Sequence, residues 1–132
     1  MRPLINDMSS IYLDNKYDFM GYTFNSIRDL SYHHIIKRSE GGQKTFDNGA
    51  LLVGDTSHPY LHVIESKDYE MYAYINFILK EINNQQRPPT RDQLISIRKI
   101  LLEFEDKYKD EYTSKGKILI KSSYLDRRIA LW

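Results

Sequence analysis

Tyr32-His33-His34-Ile35-Ile36, Asn48, His58 and His62 are the residue types from which a metal-assisted hydrolytic site is built. All 4 histidines of the chain fall between His33 and His62, as an adjacent pair followed by a pair four residues apart. Residues four apart return to the same face of a helix, so His58 and His62 can point at one metal ion if their segment is helical. The adjacent pair can then supply a third ligand and a general base. That is the minimum set for metal-assisted phosphodiester cleavage, and scattered structural histidines rarely produce it.

Such a site needs elements to hold it. Leu30 to Ile36 reads as a strand, rich in aromatic and β-branched residues. Ser39-Glu40-Gly41-Gly42 is a turn signal, because paired glycines permit positive φ. Ala50-Leu51-Leu52-Val53 suits a return strand that ends at Gly54-Asp55. Thr56 or Ser57 can cap a helix beginning near His58-Pro59, where proline in the first turn gives up only an N–H that would lack a partner. Downstream, Met71, Tyr72, Ile75, Ile78, Leu79 and Ile82 have helical spacing, and Arg87-Pro88-Pro89 stops that helix. Thr90-Arg91-Asp92-Gln93 matches a capping box for a second helix, with Leu94, Ile97, Leu101 and Phe104 on its apolar face and an end near Tyr112. Lys117 to Lys121 reads as a short strand. The first thirty residues read as a strand or irregular lead-in, with a turn at Asp14-Asn15 and strand character at Tyr22-Thr23-Phe24.

The 132 residues fit one domain, 1–132, long enough to bury a core. With no cysteine, any metal site must use His, Asp, Glu or Asn. No apolar run approaches the roughly 20 residues of a membrane helix, and the opening residues lack a signal-peptide apolar region. The expectation is a cytoplasmic protein without membrane association. A net charge of +1 announces no large nucleic-acid face. The basic residues are instead grouped, with Lys37, Arg38 and Lys44 after the histidine pair and Lys115, Lys117, Lys121, Arg127 and Arg128 near the end.

His34, Asn48 and His58, supported by Ile35, Gly41-Gly42, Leu51-Leu52 and His62, resemble the signature of the HNH endonucleases. The match covers about residues 30–65. The resemblance implies an α+β fold: a ββα-metal hairpin-helix core over 30–65, an N-terminal lead-in, two supporting helices over 66–112 and a basic tail over 113–132. It further implies that His34 is the general base, that His33, His58 and His62 hold one divalent ion, and that Asn48 braces the long loop against the base strand. His33 stands where many relatives carry an aspartate, and this three-histidine arrangement resembles the colicin-type nucleases. The cysteine pairs of the commoner zinc-stabilised subgroup are absent.

The implied activity is hydrolysis of DNA, by nicking or double-strand cleavage, leaving a 5′-phosphate. Mg²⁺, Mn²⁺, Ni²⁺ and Zn²⁺ are all candidate cofactors, since three imidazoles favour borderline ions while abundant magnesium prefers oxygen ligands. Arg38, Lys37 and Lys44 are the candidate nucleic-acid contacts, with double-stranded DNA the expected partner and a homodimer or larger complex the route to sequence specificity. Two alternatives stand beside this reading: a catalytically silent module that binds nucleic acid or protein, and an RNA-cleaving toxin.

Overall fold

The structure is a computed structural model, and it describes residues 2–13, 16–113 and 115–129. The chain folds as a mixed α+β unit. Helix α1 spans Pro3–Tyr12, and strands β1 (Leu30–His34) and β2 (Gly49–Val53) form an antiparallel hairpin. Helices α2 (Ser57–Lys67), α3 (Tyr69–Gln85) and α4 (Arg91–Tyr108) follow. No helix among the described residues is long and apolar enough to cross a membrane.

The lead-in is a helix, not the expected strand or irregular segment. Pro3 sits in its first turn, where it lacks only an N–H with no partner in the helix, and Ile5, Met8 and Tyr12 form a buried stripe at helical spacing. The Asp14-Asn15 turn lies outside the described residues. Tyr22 and Thr23 make only isolated bridges, to Arg128 and Tyr17. The expected strand over Lys117 to Lys121 is likewise reduced to one bridge, Tyr112 to Ile118. Ile118 is exposed while Leu119 and Ile120 turn toward the core, and the pairing with residues 111–113 extends to two backbone hydrogen bonds around that one bridge. Helix α4 stops at Tyr108, short of the expected Tyr112.

β2 is buried along its whole length, between the later helices and α1. The register pairs Leu30 with Val53, Tyr32 with Leu51 and His33 with Ala50. Helix α3 packs on α2 and on β2, so the hairpin and the histidine-bearing helix share one backing. Helix α4 opens with the capping box: Thr90 Oγ1 accepts from the Gln93 N–H, and Gln93 Oε1 accepts from the Thr90 N–H.

The C-terminal segment also belongs to the packed body. The Tyr124 ring lies stacked on Tyr60 at 4.7 Å, and Arg128 holds Glu105 with both terminal nitrogens at 2.9 Å. Tyr60 donates to the same carboxylate at 2.7 Å.

Candidate metal centre

Alternation along β1 sends Ser31 and His33 toward α2, while the rings of Tyr32 and His34 meet each other. On α2, His58 and His62 occupy consecutive turns of one face. These two elements bring His33, His58 and His62 together, with one ring nitrogen from each lying within 4.8 Å of the other two. The ring centroids are 5.6 Å apart for His33 and His58, 5.9 Å for His33 and His62, and 4.9 Å for His58 and His62. His33 is buried, His58 half-buried and His62 exposed. The cluster therefore opens to solvent on one side.

Burial pushes the His33 and His58 imidazoles down to about 4. Both are therefore neutral near pH 7, the state in which a ring nitrogen can donate a lone pair to a metal. Three close imidazoles with no carboxylate among them suit a borderline divalent ion.

Each ring has a polar neighbour at one of its nitrogens. His33 Nε2 lies 2.9 Å from Asn76 Oδ1, His58 Nδ1 lies 2.6 Å from Ser31 Oγ, and His62 Nδ1 lies 3.1 Å from Glu65 Oε1. Outer partners of this kind orient ligating histidines and raise their basicity. Burial works against the Glu65 charge, but contacts from Lys37 and His62 outweigh it and hold the carboxyl below its ordinary range.

His34 shares a cavity of about 330 Å³ with the three histidines. Its ring stands edge-on to Tyr32, 4.9 Å away at 84°. Partial desolvation, then the charges of Arg38 and Lys44, lower its pKa and favour the neutral base. A neighbouring cavity of about 460 Å³ is lined by His34, Arg38, Gly42, Gln43 and Lys44. Arg38 and Lys44 thus flank the His34 side of the site. Lys37 instead pairs with Glu65 and supports His62 indirectly.

Asn48 spans the loop between the strands. Its Oδ1 accepts from the Ile36 N–H at 2.8 Å, and its Nδ2 donates to the Ile36 and Gln43 carbonyls at 3.0 Å. Its own carbonyl accepts from the Ile35 N–H at 2.9 Å. The β1 edge is therefore tied down two residues beyond the last strand pair. The two loop glycines do different work. Gly41 has φ +90°, whereas a Cβ at Gly42 would lie 1.8 Å from the Ile36 carbonyl oxygen and 2.9 Å from Asn48 Nδ2.

Sequence reasoning missed Ser31, Glu65, Asn76 and Asp18. Ser31 and Glu65 carried a local signal, two residues before His33 on a strand and three after His62 on a helix. Asn76 meets His33, and Asp18 meets Ser57 at the start of α2, only through tertiary contacts.

No family model, characterised protein or solved structure matches this chain.

Proposed function

We propose that the protein is a divalent-metal-dependent nuclease of the HNH type, with β1, β2 and α2 as its ββα-metal core. One observation carries the reading: three converging imidazoles share a cavity with a fourth histidine outside their cluster, and the loop that follows it is fastened by Asn48. A metal-binding site with a structural role has no need of that fourth imidazole beside it.

His33, His58 and His62 would hold the ion. Bound there, a divalent metal supplies neutralisation of the charge that develops on the phosphate and the leaving oxygen. His34, neutral and half-exposed, takes the proton from the attacking water. Arg38 and Lys44 attract and seat the phosphate backbone on the His34 side, and their charge also disfavours protonation of the base. Asn48 fixes where His34 stands relative to the three ligands, because a small displacement of a catalytic group loses a large factor in rate. DNA is the proposed substrate.

The test is plasmid nicking by purified protein after chelation, with Mg²⁺, Mn²⁺, Ni²⁺ and Zn²⁺ restored separately, beside His34→Ala. The expected result is metal-dependent nicking with 5′-phosphate ends, abolished in the variant while metal binding persists. Folded wild-type protein that cleaves neither DNA nor RNA with any ion would remove the nuclease reading in favour of a binding module. Cleavage of RNA alone would replace the substrate.

A further inference from the structure

Asn76 lies on α3, outside the hairpin and the histidine-bearing helix, yet it contacts His33 on β1 and Ile35 just past the strand's end. Its Nδ2 donates to the Ile35 carbonyl at 2.9 Å, and its Oδ1 faces His33 Nε2 at 2.9 Å. A carbonyl oxygen can only accept a hydrogen bond, so Ile35 fixes which way round the amide sits. The oxygen turned toward His33 is then also acceptor-only. A hydrogen bond between them requires that His33 carry its proton on Nε2, which leaves the lone pair on Nδ1.

The same reasoning assigns the other two rings the opposite way. Ser31 Oγ lies 3.3 Å from the Leu52 carbonyl, which can take its single hydrogen, and a serine that donates there accepts from His58 Nδ1 at 2.6 Å. The Glu65 carboxylate accepts from His62 Nδ1. Both of these rings keep their lone pair on Nε2.

We propose that Asn76 is a positioning residue that selects the Nε2–H tautomer of His33, so that a divalent cation is bound through Nδ1 of His33 and Nε2 of His58 and His62. This rests on the three histidines being a metal site, but not on the cleavage chemistry. It has a geometric consequence. Nδ1 lies closer to the backbone than Nε2, so the strand histidine presents the shorter arm and the two helical histidines the longer ones. Helix α3 becomes part of the metal centre, although it contributes no ligand.

Two measurements test this without reading activity. Long-range ¹H–¹⁵N NMR of metal-free protein, at a pH where the imidazoles are neutral, reports the tautomer of each histidine. His33 is expected as Nε2–H, with His58 and His62 as Nδ1–H. Zn²⁺ titration of wild type, Asn76→Ala and Asn76→Asp then reads the consequence. Asn76→Ala should weaken Zn²⁺ binding by about 10–100-fold, and Asn76→Asp, which keeps an acceptor for His33, should recover most of that loss.

A wild-type His33 protonated on Nδ1 overturns the proposal, whether or not any variant folds. So does a folded Asn76→Ala that binds Zn²⁺ as the wild type does, or a wild type that binds no Zn²⁺. Wild-type protein with the expected tautomers and the expected Zn²⁺ series, but no cleavage of nucleic acid, supports the proposal while refuting the nuclease.

Discussion

The carboxylate of Asp18 accepts a hydrogen bond from the hydroxyl of Ser57, the first residue of α2, across 39 positions of sequence. The same oxygen accepts from the Val53 N–H at 2.9 Å, while the other accepts from the Met20 and Tyr22 N–H groups at 2.8 and 2.9 Å. One buried carboxylate thus pins the end of β2 to the start of the helix that carries His58 and His62.

Asp18→Ala should therefore be among the more damaging single changes in the chain. It strands the Met20 and Tyr22 N–H groups and the Ser57 hydroxyl in a buried place, and leaves the Val53 N–H with Ser57 Oγ alone. A loss on the order of 3 kcal/mol is expected. Urea unfolding of the metal-free proteins checks it, and a loss within error of zero would remove Asp18 as the pin.

Acid should destabilise the metal-free protein between about pH 6.5 and about pH 4. Burial holds His33 and His58 at about 4 in the folded state, against an ordinary 6.5. Across that window the unfolded chain binds protons at both positions and the folded chain does not, so lower pH favours unfolding. Asp18 has the opposite sign, because burial pushes it up to about 6 from 3.8 and the folded state holds the extra proton. Two histidines outweigh one carboxyl. The melting temperature should rise as pH is raised through the window, and a flat or falling profile would contradict these burial effects.

His34→Ala and His58→Ala should separate chemistry from ligation. Losing the proposed base should lower cleavage by about 10²–10⁴-fold with Zn²⁺ affinity nearly unchanged. Losing a ligand should weaken the metal itself. Equal loss of Zn²⁺ affinity in both variants would mean that His34 belongs to the coordination set.

Asn48→Ala should leave the three ligands in place, since they stand on β1 and α2, yet release the loop beside His34. A fall in cleavage of about 10²-fold with retained Zn²⁺ binding is expected. Gly42→Ala should act in the same direction, because the new Cβ collides with the Ile36 carbonyl and crowds Asn48 Nδ2. Full activity in both would show that the brace does not control the base.

Arg38→Ala and Lys44→Ala should weaken nucleic-acid binding and flatten its salt dependence. Lys37→Ala should instead act on metal affinity, since its ammonium holds the Glu65 that supports His62. Fluorescence anisotropy over a salt series, beside Zn²⁺ titration, distinguishes them. The reverse pattern would exchange the roles of Lys37 and its neighbours.

What the sequence by itself determined was whatever repeats over one or two turns of chain. The hairpin from Leu30 to Val53, the helical pair His58 and His62, the stripe of α3 and the Thr90–Gln93 box all rest on near neighbours. Backbone periodicity alone puts those residues on a common face. Helix α1 obeyed the same rule through Pro3, Ile5, Met8 and Tyr12, but Ile11 and Leu13 beside the stripe blurred its period.

Only the tertiary structure decided the rest. The approach of His33 to the α2 pair depends on how a strand packs against a helix, and nothing in local spacing encodes that distance. Asp18 and Asn76 act across 39 and 43 positions, through hydrogen bonds whose partners are fixed only once the core has closed. The Lys117–Lys121 segment shows the converse: strand-like residues make a strand only where folding supplies an edge to pair with, and here it supplies one bridge.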